Sequence, residues 1–471
     1  MLTRYAVRVG AAVLAASTVL TVVAPAPAEP AVRTADGWSR PRPLETREGV
    51  SSTAPTYASN ASGRTVVAWL ASEVVAPAPL PGEDPVVRTD VRVRTIGATG
   101  RLGRSRTVYS SLESVYAVKV AMDADGDLVL GWTEYREETA GSRPWVRRVP
   151  RRGAPTAPQL VWGEGSETGL DAVAVTPRGD AVVTWLQPRL SPSGATLPEL
   201  MLLRRVRSDG SLSPVTDLGL TGITAPTVAG KDAFWVAGVV NPVGGVGSSG
   251  GIEVVRVDTR GRVEARRTLD PGPTAARPGL ESSFPRLTLD AHEDARVLWT
   301  RYDSVNGGNE IVGRAWRSGG KVGREVVLRA GPYGAASLAT DAAGNSFVTW
   351  TRIDDNDFEG FGRRWDRRGR LGPVQELGRT AWEKPYTIIV HGPSAWVDDA
   401  GRGIVVWGYR DDQGDLDAPI VTRVRRIRPD GRTSRLPGLD RGPSASGYVT
   451  PDGLAIVAFD RDGSADLVVR R

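Results

Sequence analysis

The apolar positions of this chain fall in short runs that recur along its whole length, each preceded by a polar turn. The cleanest copy runs from Leu338 to Trp350, where alternating residues lead into Asp341-Ala-Ala-Gly344 and then into an apolar run that ends on tryptophan. Period-two alternation broken by a glycine turn is the mark of two antiparallel strands tightly joined. The same phrase closes at Trp69, Trp132, Trp185, Trp235, Trp299, Trp350 and Trp407, and in weaker form at Phe459. Second strands such as Ile404-Val-Val-Trp407 are apolar on both sides, which predicts sheets covered on both faces.

After each aromatic comes an arginine-bearing alternation, as in Leu203-Arg-Arg-Val206 and Val421-Thr-Arg-Val424, then a second glycine turn, as at Gly210 and Gly431. A fourth strand follows, as in Val374-Gln-Glu-Leu377. The tryptophans are spaced between 50 residues (Trp185 to Trp235) and 64 residues (Trp235 to Trp299). Four-stranded repeats at such spacing predict an all-β fold, a β-propeller of four-stranded antiparallel blades. Counting the phrases gives eight blades; seven is the alternative, because the phrase around Ala229-Gly-Lys-Asp232 is degenerate. The last repeat stops at its third strand, and Trp38 to Leu44 has the register of a fourth. The N-terminal segment is therefore expected to complete the last blade and close the ring, which removes exposed sheet edges.

Arg4 and Arg8, the apolar run Val9 to Val23 and then Ala26-Pro27-Ala28 have the order of a secretory signal peptide. The expected division is a signal peptide at 1–28, a short linker at 29–36 and a single propeller domain at 37–471. The apolar run is too short and too polar for a membrane span, so a secreted or envelope-associated monomer is expected. There is no cysteine, which excludes disulfides, thiolate metal sites and a cysteine nucleophile. The net charge of +6 is arginine-heavy but spread along the chain, without the single basic, aromatic-laced patch of a nucleic-acid binder.

The Asp-x-x-Gly-x5-Trp phrase with its arginine strand resembles the repeats of secreted actinobacterial β-propeller proteins of unassigned function. The resemblance spans nearly all of the mature chain and implies a fold without implying catalytic residues. In the six clear copies the glycine lies six residues before the aromatic, as Gly344 does before Trp350. Sialidase Asp-boxes and quinoprotein repeats use shorter spacings.

In a four-stranded blade, the turns after strands one and three share one face of the ring, and the connections after strands two and four share the other. That second face receives the insertion Ala71 to Pro85 and collects acids. Asp303, Asp354 and Asp411 each follow a tryptophan by four residues, and Asp412 and Asp462 lie in corresponding loops. With Tyr302 and Arg410 they form the candidate ligand-binding set. Two such carboxylates facing one pocket could act as acid and base on a glycosidic bond. Alternatively, Arg301 and Arg352, two residues earlier, could pair with the acids and neutralise them. Asp355, Asp357 and Glu359 have the oxygen density of a Ca²⁺ loop without EF-hand spacing, and no other cofactor is expected. Gly245-Val-Gly-Ser-Ser-Gly250 fits phosphate-loop patterns by letter but lies in no strand-to-helix context. The leading expectation is a binding module for a cell-envelope glycan or protein, with ligand unknown; the alternative is a carbohydrate-active hydrolase or lyase.

Overall fold

The computed structural model describes residues 38–78, 84–97, 99–136, 141–163, 169–190, 196–221, 228–240, 250–274, 279–305, 307–331, 333–354, 357–381, 389–410, 420–436, 445–461 and 464–470. The signal peptide and linker expected at 1–36, the glycine-serine run at 245–249, and Asp355, Asp411, Asp412 and Asp462 lie outside these residues. The described chain is all-β, without a helix, and its strands form propeller-like four-stranded antiparallel units that follow one another in sequence.

Unit one consists of Val50–Ser59, Thr65–Ala76, Val86–Ile96 and Arg106–Ser111, each strand pairing with the next. The same order repeats in a second unit (Ser114–Met122 to Gln159–Leu160), a fifth (Leu280–Leu289 to Val326–Ala330), a sixth (Tyr333–Thr340 to Gln375–Ala381) and a seventh (Ile389–Val397 to Thr433–Arg435). The third and fourth units, Leu170–Val175 to Val263–Asp270, share one eight-stranded sheet through Thr221 opposite Val239. The first strand of the fourth is only Val228–Ala229, in the degenerate stretch. In the last sheet Arg42–Pro43 pairs with Ser464–Arg470, Arg42 opposite Leu467 and Pro43 opposite Asp466.

The tryptophan of each second strand is buried, from Trp69 at 0% exposure to Trp407 at 6%. Each fills the wedge between neighbouring sheets. Trp132 belongs to a cluster shared by units one and two, and Trp235 and Trp299 to one shared by units four and five. Leu44, Trp69, Ile96, Ile456 and Leu467 make one cluster from the first and last sheets. The indole N–H of Trp299 donates to Asp270 Oδ2 at 3.3 Å. Those of Trp69, Trp132, Trp185 and Trp235 meet no acceptor among the described residues, so these rings are held by shape and area.

The Asp-x-x-Gly turns interlock. Asp290 Oδ1 accepts the N–H groups of His292 and Asp294 in its own turn, at 2.8 and 3.0 Å. Its other carboxylate oxygen lies where a Cβ on Gly344, in the turn of the next unit, would sit, 2.5 Å away. Asp341 meets Gly401 and Asp398 meets Gly453 in the same way, each at 2.9 Å. Asp452 of the last unit lies against Gly63 of the first. The glycines are thus required twice, by positive φ and by the carboxylate of the preceding turn.

Tyr57 of the first sheet stacks on Tyr448 of the last at 5.5 Å between centroids. Burial pushes both hydroxyls above the ordinary tyrosine range. Unfolded tyrosines release their protons near pH 10 while these two retain theirs. Stability is therefore expected to fall as pH rises past about 10, by about 1.4 kcal/mol per pH unit for each tyrosine until its folded pKa is reached. Tyr57→Phe should remove one such share. The check is a shallower loss of the urea midpoint between about pH 10 and pH 11 than in the parent.

Candidate functional site

The face carrying the connections after strands two and four is built from strand ends. Asp303 ends Ala295–Asp303 and accepts the Val305 N–H at 3.0 Å, shaping the turn that follows. Tyr302 beside it is 43% exposed. Asp354 stands opposite Asp357 at the tip of its hairpin, and Arg410 stands opposite Ile420; these three are placed by backbone register alone. Glu359 is buried and pairs with Arg352. Among the described residues no group of three or more histidines and acids is arranged to hold a metal ion.

Arginine does pair with acid here, and the pairs of Arg301 are with two glutamates and an aspartate of the preceding unit. Arg301, whose side chain is 6% exposed, lies 2.6 Å from Glu310, 3.0 Å from Glu325 and 3.6 Å from Asp270 of the preceding unit. Glu325 also holds Arg314 at 3.1 Å. Burial works against the Arg301 charge, yet Glu310 and Glu325 outweigh it and hold the guanidinium above its ordinary pKa. Asp270 completes its shell with the Ser282 hydroxyl at 3.0 Å and the Gly272 N–H at 2.9 Å. A second network in unit one joins Arg92 to Asp90 at 2.6 Å and to Glu45, with the Ser110 hydroxyl donating to Asp90 at 2.6 Å. Carboxylates engaged in this way are structural ties.

The same face carries most of the exposed apolar side chains. Val74, Val75, Val86, Leu112, Tyr116 and Tyr135 come from the ends of strands in units one and two. Tyr302 and Val305, 43% and 70% exposed, come from unit five, where Phe284, 48% exposed, stands midway along the first strand at its bulge. Val327 and Val374 are the remaining large exposed apolar residues among those described, and both belong to the third-to-fourth-strand side of their units. This grouping follows from tertiary exposure and has no counterpart in the repeat spacing.

A cavity of about 710 Å³ opens among the first strands of successive units and is lined by Arg286, Ser337, Thr340, Ser394, Trp396 and Tyr448 among others. Sequence reasoning missed it, though a signal was present. The first strands bulge at Ala54-Pro55, Phe284-Pro285 and Gly392-Pro393, where the pairing register shifts, and a proline within a strand marks such a bulge. Among the tryptophans outside the second strands, Trp145 and Trp162 pack beside Tyr109 and Trp185, while Trp396 lines the cavity. Trp382 and Tyr386 lie outside the described residues.

No helix among the described residues is long and apolar enough to cross a membrane. No protein-family model and no curated protein sequence matches the chain. Among solved structures, it is similar to a PL25 polysaccharide lyase, an ulvan lyase, with a TM-score of 0.46 and 11% identity over 81% of this chain and 95% of that one. It is similar to a protein of unknown function from Dyadobacter fermentans, with a TM-score of 0.39 and 11% identity over 92% and 100% of the two chains. The β-propeller domain of the trilobed protease from Pyrococcus furiosus gives a TM-score of 0.40 and 8% identity over 76% and 92%. At these levels the likenesses say nothing of what this chain binds or does.

Proposed function

We propose that this chain is an exported β-propeller of eight blades, one domain over 37–471 behind a cleaved signal peptide, and that it acts as a non-catalytic binding module for a protein partner outside the cell. Eight blades and a closed ring are supported by the cluster shared between the first and last sheets, the Tyr57–Tyr448 stack and the meeting of Asp452 with Gly63. The observation that carries the binding role is the exposure of Tyr302 and Val305 in unit five, and of Val74, Val75, Val86 and Leu112 in units one and two, on the face of the second-to-third-strand loops. Apolar patches of this kind on an otherwise charged surface mark interaction sites. Branched aliphatic chains suit a protein surface better than a sugar ring, which places an envelope protein ahead of a glycan. The catalytic alternative needs two of Asp303, Asp354, Asp411, Asp412 and Asp462 facing one pocket, and of these Asp303 already accepts the Val305 N–H in shaping its turn.

The test is photo-crosslinking in envelope extract, with the probe at position 302 or, on the opposite face, at position 368. A reproducible adduct from 302 alone is expected. Changing Tyr302 and Val305 together to serine should reduce retention of the captured partner by about tenfold or more. Stability should shift by no more than about 0.5 kcal/mol per exposed site. Equal adducts from both faces, or unchanged retention by the double variant, would remove this face from consideration.

A further inference from the structure

We propose that the cavity among the first strands is a binding site for a small hydroxylated carboxylate, of the size and chemistry of a sugar acid, whose carboxylate is received by Arg286. The site is separate from the apolar face, so either reading can fail alone. At about 710 Å³, the cavity falls within the roughly 300–1,000 Å³ of small-molecule pockets. Arg286 lines it, half-buried, and its guanidinium makes no hydrogen bond or close ion pair with a described residue. Burial pulls its pKa below the ordinary arginine value, and the Asp171 carboxylate only partly restores it. A guanidinium so placed is short of countercharge, and its planar fork matches a carboxylate in bidentate geometry.

The backbone is bent to put it there. Between the pairs Ser283–Thr300 and Arg286–Leu298, the two residues Phe284 and Pro285 oppose the single residue Trp299. One extra residue in a strand turns the following side chains to the other side. Phe284 takes φ of 52°, and Ala117 takes 54° at the corresponding bulge of unit two. A bulky residue in the left-handed region is strained, and such strain persists where surrounding structure holds it for a purpose. Lys119 is the residue that follows the bulge in unit two, as Arg286 is in unit five.

The rest of the lining selects among anions. Ser394 offers a hydroxyl, Ser337 keeps a hydroxyl proton to donate while its oxygen accepts the Ala395 N–H at 3.1 Å, Trp396 offers an apolar ring, and Asp399 offers a carboxylate that can accept from ligand hydroxyls. Asp399 in the lining and Asp171 near Arg286 also oppose a second negative charge. That favours a hydroxylated monoanion over a phosphate dianion.

The experiment is calorimetric titration of the protein with D-glucuronate, with D-glucose as the neutral analogue and inorganic phosphate as the bare oxyanion. Glucuronate should bind at least about tenfold more tightly than glucose, the range of a hydrogen bond to a charged group. Arg286→Gln should lose about tenfold or more of that affinity, and Arg286→Lys should retain part of it. Because no native partner is lost, Arg286→Gln should melt at or above the temperature of the parent. Equal affinity for glucuronate and glucose, unchanged affinity in Arg286→Gln, or no binding of glucuronate would overturn the proposal. So would phosphate binding as well as glucuronate, or a lowered melting temperature of Arg286→Gln, which would make Arg286 a structural residue.

Discussion

Replacing Arg301 by alanine is expected to destabilise the fold by about 3–5 kcal/mol, the cost of removing one partner from a buried ionic cluster. The side chain is 6% exposed and holds Glu310, Glu325 and Asp270, the last only 3% exposed. Its loss leaves Asp270 with the hydroxyl of Ser282, the indole of Trp299 and the Gly272 N–H, but no cation among the described residues. Asp270→Asn in the same chain should recover part of the loss, because an amide needs no countercharge. Urea unfolding of the parent, the single variant and the pair would measure this. A cost within about 1 kcal/mol, as for a surface pair, would show the cluster to be well solvated.

The second large effect is expected at a glycine. Gly344→Ala should cost about 2–4 kcal/mol, combining the left-handed penalty of about 1–2 kcal/mol with displacement of a carboxylate. Gly344 has φ of +81°, and the new Cβ would lie 2.5 Å from Asp290 Oδ2. Moving Asp290 strains the turn hydrogen bonds to His292 and Asp294 in the neighbouring unit. Asp290→Ala alone should cost about 1–2 kcal/mol for those bonds. The two changes together should cost less than their sum by at least about 0.5 kcal/mol, since the clash vanishes with the carboxylate. Additivity would mean that the turns do not interlock.

The repeat could be read from the sequence because its cause is local. The turn glycines and the apolar strand leading to each tryptophan sit within a dozen residues of one another, and Trp69 through Trp407 are buried as that pattern required. The partners of Arg301 could not be read, since Asp270 at the end of one strand and Glu325 just before another lie apart from it in sequence and only folding brings them near. Four-residue spacing after tryptophan singled out Asp303, where the structure shows a turn-shaping carboxylate. The exposed apolar face was equally hidden, because Val74, Leu112 and Val305 look like ordinary strand residues until neighbours fail to cover them. The first-strand bulges were different. Pro55, Pro285 and Pro393 stand in the sequence at equivalent places, and reading them as bulges would have pointed to Arg286.

The pairing of Arg42 with Leu467 and of Pro43 with Asp466 has a consequence for the birth of the molecule. Residue 42 leaves the ribosome long before residue 467 exists, so this first strand stays without its sheet until the end of synthesis. Contacts this distant in sequence form slowly, and an incomplete sheet presents an open edge until they do. The chain therefore passes its nascent life with one sticky border, and holding it unfolded until synthesis ends would protect it. Supplied as a separate peptide, residues 38–44 should compete for that border, turning the molecule's own first strand into an inhibitor of its maturation.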